Sequence, residues 1–554
     1  MTDPCLTGDD LALYQAMAAQ MAAETADRPA AHAPVLEYFH TEMAAPRDQD
    51  LALAHLARLP LQGRVWIYGG GSFTRAILPH LRARTDIQLE GIVDRNSQWV
   101  VTDSGLPVIA PTQLATREFD HVLVAHVSRE PDMVEALTKN GIPATKIVRL
   151  FGNPDFAAAA LATRSAETCS QAAALAPDYL ILDTTGMSWQ LIPDADLARL
   201  LPPERTLKLF LGRQEHYADH GIYPTLDLKQ SASLAAEVMR TLRPKAVYLR
   251  TTCQLNGDGY PVLIREAAPN AALIHEIYDV AMTFPGPYLA EGWGYSDLTE
   301  RLARAGTACS FREASYVLYK SGGSPWEPFR RLIEVPNGLY YPLREDIRSG
   351  NPAPAPEGNE PFSILYAGSI HTRSKFTADS AFKWADVVPF FRRLAAEDHA
   401  RVEMFNGLHR GTGGDADYAE YLEEFANGPI RYHRAIPLAE LVGRMSAHHY
   451  GWVAFHRPDP TAIPLIDKIT THNKLTSYLL GGLPVIVTDY FTHVAELVRD
   501  FDAGLVVTSD EIASIGPRLN AADYRRHVAG AERLREHMIT ANRNLFADLA
   551  KALP

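Results

Sequence analysis

Cysteine is scarce in this sequence. Four occur in 554 residues (Cys5, Cys169, Cys253 and Cys309), far apart and in no CxxC or other metal-type spacing. That argues against a zinc module or a disulfide scaffold and makes reduced thiols in a cytoplasmic protein the simplest expectation, with no metal site. Long apolar runs are missing as well. No stretch reaches the roughly 18 uninterrupted apolar residues of a spanning helix. The start, MTDPCLTGDDLALYQ, is acidic and lacks a basic end followed by an apolar run, so no secretory signal is expected. A basic excess is also absent: 53 Lys and Arg face 66 Asp and Glu, a formal charge of −13. This argues against nucleic acid as a partner, while leaving room for a local basic pocket around a phosphorylated ligand. The Arg-bearing helical stretches carry many acids too, so peripheral membrane contact is an open but disfavoured reading.

Apolar residues make up 47% and charged residues 21%, an ordinary globular balance with material for several cores. At roughly 150 residues per domain the length suggests three or four domains. Residues 1–60 read as helices, with Leu13, Met17 and Met21 at helical spacing. Residues 61–155 alternate short apolar runs with helical stretches. The runs are 64–68, 89–94, 108–109, 121–125 and 146–148, the pattern of a small doubly wound parallel sheet. An Ala-rich stretch from 151 to about 175 reads as a helical connector. A second strand–helix series fills 176–350, and a Pro-rich linker follows at 351–358. A third series occupies 360–554, with runs at 362–367, 401–405, 450–455 and 485–487 and a helical end from about 510.

Tyr68-Gly69-Gly70-Gly71-Ser72-Phe73-Thr74 follows the first run and resembles a dinucleotide fingerprint. Gly69 and Gly71 stand at its first two glycines, Thr74 at the third, and Asp94 closes the next run where an acid can take ribose hydroxyls. NAD or another nucleotide is therefore a candidate ligand of this domain, beside a scaffolding role. No Tyr-xxx-Lys dyad occurs in 63–150, which disfavours NAD-dependent sugar oxidation or epimerisation there.

The later series carry four segments in an ordered set: Val335-Pro336-Asn337-Gly338; Ile364-Leu365-Tyr366-Ala367-Gly368-Ser369; Asn473 through Gly481-Gly482-Leu483-Pro484-Val485-Ile486; and Glu496-Leu497 with Ala503-Gly504-Leu505. Together they resemble the inter-domain turn, glycine loop, donor-site helix and following strands of GT-B glycosyltransferases of the group 1 type. The resemblance spans about 178–545. It implies an α/β fold of two Rossmann-like lobes, preceded here by the smaller Rossmann-like domain and the N-terminal helices. It further implies transfer of a sugar from a nucleotide-activated donor to a hydroxyl acceptor, with no required cofactor or metal. A bacterial surface glycan, a lipid-linked sugar and a protein are the acceptor classes.

The resemblance points to Gly368, Ser369, Arg373 and Lys375 as diphosphate contacts, since a glycine turn admits backbone N–H groups and cations offset the leaving group's charge. Lys474 matches the lysine at the start of the donor-site helix, where an anion is favoured. Ser477 stands where the group commonly has a ribose-binding glutamate, and Ile469 where many members have a second one. These departures leave the donor base and the stereochemistry open. His456 and Arg457, after the run at 450–455, are further donor-side candidates. The turn Gly186–Trp189 is a candidate acceptor contact or a plain turn. On the acceptor side, Glu276 and Asp279 are base candidates and His275 a positioning group, with a core histidine and a helix cap as their structural alternatives. The rival readings are a non-catalytic sugar-binding or assembly protein on a decayed transferase, and a bifunctional enzyme using its first domain.

Overall fold

The structure is a computed structural model that describes residues 6, 8–95, 105–127, 129–185, 190–212, 221–252, 259–280, 283, 297–344, 347, 351–358, 360–373, 386–396, 400–412, 415–455 and 463–554, the side chains of residues 72 and 513 excepted. Its strands form parallel sheets whose order follows one rule. In the first lobe, β1 (Gly63–Tyr68), β2 (Ile87–Val93), β3 (Val108–Ile109), β4 (His121–Val124) and β5 (Ile147–Arg149) line up as β3-β2-β1-β4-β5. In the second, β6 (Tyr179–Asp183), β7 (Thr206–Phe210), β8 (Thr225–Asp227), β9 (Ala246–Thr251), β10 (Ala272–Ile277) and β11 (Tyr316–Tyr319) run β8-β7-β6-β9-β10-β11. In the third, β13 (Phe362–Gly368), β14 (Ala400–Asn406), β15 (Ile430–Arg434), β16 (Tyr450–Trp452), β17 (Val485–Thr488) and β18 (Gly504–Val507) run β15-β14-β13-β16-β17-β18. The short β12 (Asn337–Leu339) lies beside the last residues of β11, where the Tyr340 amide donates to the Tyr319 carbonyl. Each lobe thus winds outward from its first strand and then reverses, the Rossmann order, and its loops open at the carboxyl ends of the strands.

The residues explain why these strands sit centrally. β6, β7, β9 and β17 are buried along their whole length. Helices cover both faces of such a sheet, so a strand reads as a continuous apolar run rather than an alternation.

By internal packing the chain divides into two compact units. One holds Met1–Ala18, Met282–Gly292 and Leu318–Lys551; the other holds Ala19–Ala281, Trp293–Val317 and Ala552–Pro554. The second unit contains the first sheet and the second as far as β10, joined by a buried strap at Met43–Asp48. The Ala232 amide donates to Met43 O (2.8 Å), the Arg47 amide to Lys229 O (2.6 Å), and the Ser231 hydroxyl to Ala44 O (2.5 Å). On its other side the Arg47 guanidinium reaches Glu130 (3.4 Å), a fully buried carboxylate that also accepts the Leu150 and Phe151 amides.

In the other unit, the Pro-rich segment expected to be a spacer lies against the third lobe. Ala353 N donates to His448 O (3.2 Å), Tyr524 Oη to Ala353 O (2.6 Å), and His449 Nε2 to Pro354 O (2.9 Å). Prolines bring no N–H donor of their own, so the segment's carbonyls need outside donors, and here the lobe's own histidine and tyrosine supply them. Among the described residues, no helix is long and apolar enough to cross a membrane.

Candidate functional site

Parallel pairing of β13 with β14 sets Gly368 opposite Asn406, so both strands end at one level. The loop beyond Gly368 is fixed from several sides. Gly407 N donates to Gly368 O (2.9 Å), and the Ile370 amide donates to Asn406 Oδ1 (2.9 Å). Asn406, fully buried, returns a bond to Ile370 O (2.8 Å) and another to Tyr432 Oη (2.8 Å). Tyr366 Oη donates to Ser369 O (3.0 Å), leaving Ser369 exposed at the tip.

The helix Asn473–Leu480 delivers Lys474 to this loop. Tyr478 anchors the helix: its hydroxyl accepts the Ala367 amide (2.9 Å) and donates to Trp452 O (3.2 Å). The helix ends in a left-handed residue, Gly482 (φ +74°), whereas Gly481 is ordinary right-handed backbone. Of the expected glycine pair only the second needs its missing side chain for backbone reasons.

Lys474 extends over Gly368 so closely that a Cβ there would lie 2.3 Å from its Cε. Its ammonium stands 4.8 Å from the Phe455 ring centre and 5.6 Å from that of Tyr366. Among the described residues no carboxylate pairs with it. Burial lowers its pKa from the usual lysine value to about 8. A cation held by two π-faces, with no carboxylate partner among the described residues and at the start of a helix, is poised for an anion.

Neighbouring charge strengthens this. Burial first, then the charges of Lys474 and Lys320, hold the His472 imidazole well below its usual range. Lys320 is 6% exposed, and its carbonyl accepts the Thr471 amide (2.8 Å). It is a buried cation close to the helix start, beside the half-buried Lys474, that sequence reasoning missed. Its only local signal is a lysine before Ser321-Gly322-Gly323. Phe455 and Tyr366 were likewise read only as strand residues.

Other expected donor-side residues lie elsewhere. Arg373 is exposed, its guanidinium bonded to Glu424, 3.6 Å from Glu420, and 5.2 Å from the Tyr421 ring centre. Those acids, both on the helix Ala419–Glu424, hold it away from a free phosphate-seeking role. Ser477 is half-buried one turn beyond Lys474 and supplies no charge. Lys375, His456 and Arg457 lie outside the described residues, as does the Gly186–Trp189 turn.

The acceptor-side candidates sit in the second lobe, where the sheet is closed on both faces. His275 is fully buried, with Nε2 bonded to Thr251 Oγ1 (2.9 Å) and Nδ1 to Ser310 Oγ (2.7 Å). Burial pushes its pKa down to about 3. Both ring nitrogens are used inside the core, which matches the structural alternative for this residue. Glu276, 1% exposed, accepts from Leu191 N (2.6 Å) and Tyr248 Oη (2.7 Å), with Arg250 Nε at 3.4 Å. Burial raises its pKa, against the pull of Arg250.

Arg250 also pairs with Asp194, while Lys208 lies 3.0 Å from Asp183 and 3.1 Å from Asp194. Burial raises the Asp183 carboxyl, but Lys208 and Arg250 outweigh it and hold it at about 2. Glu276 therefore belongs to a buried cluster of three acids and two bases that pins the chain at Gln190–Ile192. Asp279, half-buried, follows β10. The structure brings together Gly368, Ser369 and Lys474, but it does not join Arg373 to them.

Among the described residues, no group of three or more His, Cys, Asp or Glu could hold a metal ion. In the first lobe Asp94 does meet the glycine loop: Gly70 N donates to Asp94 Oδ2 (2.7 Å).

Comparison with known proteins gives two family matches. Residues 416–542 match the family described as Glucosyltransferase 3-like, C-terminal domain, and residues 61–148 match C2185-like, N-terminal. No curated protein matches the chain. Among solved structures, Anabaena HepE in complex with UDP and glucose is similar (16% identity, 68% of this chain and 99% of that one, TM-score 0.44). So are α,α-trehalose 6-phosphate synthase of Burkholderia multivorans (10% identity, 67% and 99%, TM-score 0.37) and a mutant O-GlcNAc transferase of Thermobaculum terrenum (11% identity, 68% and 67%, TM-score 0.40). All three sheets have the Rossmann order, and the last lobe matches a glucosyltransferase C-terminal domain over residues 416–542.

Proposed function

We propose that the protein moves a sugar from a nucleotide-activated donor to a hydroxyl acceptor, and that the donor diphosphate sits between the Gly368–Ser369 turn and Lys474. One observation carries the reading: Lys474 is a cation without a carboxylate partner among the described residues, held against a glycine at the end of β13. As the glycosyl bond breaks, negative charge gathers on the departing diphosphate. A cation already desolvated and fixed between Phe455 and Tyr366 stabilises that charge without reorganising. Lys320 adds a second positive charge nearby. The base that takes the acceptor's proton is not assigned to His275 or Glu276, because both are enclosed and bonded within their lobe. A surface glycan, a lipid-linked sugar or a protein are the acceptor classes to try.

The test is a thermal-shift screen of uridine, guanosine, thymidine, adenosine and cytidine diphosphates, followed by nucleotide release from the matching sugar donor. A ligand that binds only the folded state raises the melting temperature by mass action. One nucleotide should stabilise the wild type, and Lys474→Ala should lose that shift together with roughly 100-fold or more of kcat/KM. An undiminished shift in Lys474→Ala would remove the pocket from this place. Binding with no release of nucleotide, with or without acceptors, would instead favour the non-catalytic reading.

A further inference from the structure

Residues 1–60 read as helices without chemistry of their own, yet the first of them lies against the segments that carry the pocket's two cations. As far as Ala18, the helix Gly8–Ala26 shares a compact unit with Leu318–Lys551. Asp10, Tyr14 and Met17 stand at helical spacing on one face, and Met17 is fully buried. Asp10, 2% exposed, meets Lys468 Nζ at 2.6 Å, and the Lys468 side chain is itself only 12% exposed. The Tyr14 ring stands edge-on to Phe329, with ring centres 5.7 Å apart.

From these two contacts two arms lead to the pocket. Lys468 lies in the last turn of the short helix Leu465–Ile469, and His472 and Lys474 follow that helix in the chain. On the other arm Phe329 stacks on Trp326 (5.8 Å), Trp326 stands edge-on to Tyr319 (5.1 Å), and Lys320 is the next residue. The arms are then tied to each other. Ser321 and Thr470 form an antiparallel bridge, flanked by bonds from Gly322 N to Ile469 O and from Thr471 N to Lys320 O, both 2.8 Å. The two cations thus stand on segments joined by a short ladder, and the N-terminal helix touches both segments. A carboxylate enclosed with an ammonium attracts it more strongly than in water, and removing one partner leaves the other charge buried. Asp10 is therefore a firm hold on its arm.

We propose that the helix Gly8–Ala26 is a working part of the donor site and that Asp10 is a positioning residue. Through Lys468 it fixes the segment that presents Lys474, while Tyr14 steadies the segment that carries Lys320. This role rests on the donor pocket proposed above. Asp10 acts through Lys468 and not on the donor itself.

Hydrogen exchange of the full chain without ligand tests the hold, and calorimetric titration with UDP, GDP, dTDP, ADP and CDP tests its consequence. Asp10→Asn keeps the shape and removes the charge. It should speed exchange of the Thr471 and Gly322 amides, read in peptides 465–474 and 318–324, at least about tenfold, while β13 and β17 exchange as in the wild type. Its affinity for the nucleotide that binds the wild type should fall at least about tenfold, because the cations are no longer held in place beforehand. Exchanging the pair, Asp10→Lys with Lys468→Asp, should restore most of both. Tyr14→Leu strands no buried charge and should loosen 318–324 and weaken the nucleotide in the same direction, so it decides the matter if Asp10→Asn does not fold. Unchanged exchange at 465–474 and 318–324 in the folded variants, a rise spread evenly over the lobe, or local loosening with nucleotide affinity intact would overturn the proposal. A wild type that binds none of the five nucleotides would defeat the donor reading and this role with it, whereas nucleotide binding that the variants leave intact defeats the role alone.

Discussion

Lys474 costs stability where it stands. Its folded pKa of about 8 lies below the unfolded lysine value of about 10.4, so between those pH values the unfolded chain binds more protons than the folded one. Stability attributable to this residue therefore rises with pH across that window and is lowest below pH 8, where the buried ammonium is charged. Lys474→Met should stabilise the protein at pH 7 by on the order of 2 kcal/mol in urea unfolding, with the difference fading by pH 10.5. Donor use should run the other way. The charged form binds the diphosphate, so kcat/KM should fall about tenfold per pH unit above 8, and Lys474→Arg should remove that limb because guanidinium stays charged. A Lys474→Met variant less stable than wild type at pH 7 would mean that the ammonium has a counter-ion after all. The residue itself was legible, because a lysine opening a helix before a Gly-Gly turn is a local pattern. Its cradle was not. Tyr366, Phe455 and Lys320 come from three separate segments that only the fold of their unit brings together.

At the level of strands and helices, apolar runs at least four residues long were readable, and the central strands fall on them. Three of the strands that escaped are short or polar and lie toward sheet edges: β8 is Thr225–Asp227, β12 is Asn337–Leu339, and β15 reads Ile-Arg-Tyr-His-Arg; β11, a buried Tyr-Val-Leu-Tyr run, escaped as well. An edge strand buries less and needs no apolar run to be held in place. The same limit governs β10. Its pattern announces polar groups at a strand end, but not that Arg250 on β9 reaches across to bind one of them. Three acids and two bases packed out of water form a unit that responds unevenly to change. Arg250→Met strands Asp183, Asp194 and Glu276 beside a single Lys208 and should cost about 3–5 kcal/mol. Glu276→Gln keeps an acceptor for the Leu191 amide and lowers the excess of acid, so it should cost about 1 kcal/mol or less. Its kcat should stay within about tenfold of wild type, because a lost general base costs about 100-fold or more. Urea midpoints and initial rates on both variants test this. A stable Glu276→Gln that is inactive would return Glu276 to the role of base.

For the whole molecule, a net charge of −13 was informative about partners and silent about pockets, since Lys320 and Lys474 are two cations among 53. Lobe order was legible from the recurrence of strand–helix series; how the lobes depend on each other was not. The first lobe reads as an appendage, yet within its unit the helices before and after it pack on the second. The helix Arg28–Thr41 packs on Ala232–Leu242, Tyr260–Ala267 and Asp297–Glu313, and Pro154–Leu175 packs on Ala232–Leu242. Val35 and Phe39 are at most 1% exposed, and the Phe39 ring centre lies 4.6 Å from that of Tyr260. Burying each such side chain contributes roughly 1.5–3 kcal/mol, against a total margin of about 5–15 kcal/mol. Removal of residues 1–175 would uncover that surface and leave the Ser231 hydroxyl and the Ala232 amide without the carbonyls of Ala44 and Met43. A chain of residues 176–554 should therefore aggregate, or melt at least about 10 °C below the full protein, when compared by soluble yield and scanning calorimetry. Residues 360–554, which contain a complete six-stranded sheet and its own continuous core, should retain a cooperative transition when made alone. Equal melting of the 176–554 chain and the full protein would show that the first lobe is a detachable module whose contacts add nothing to the second.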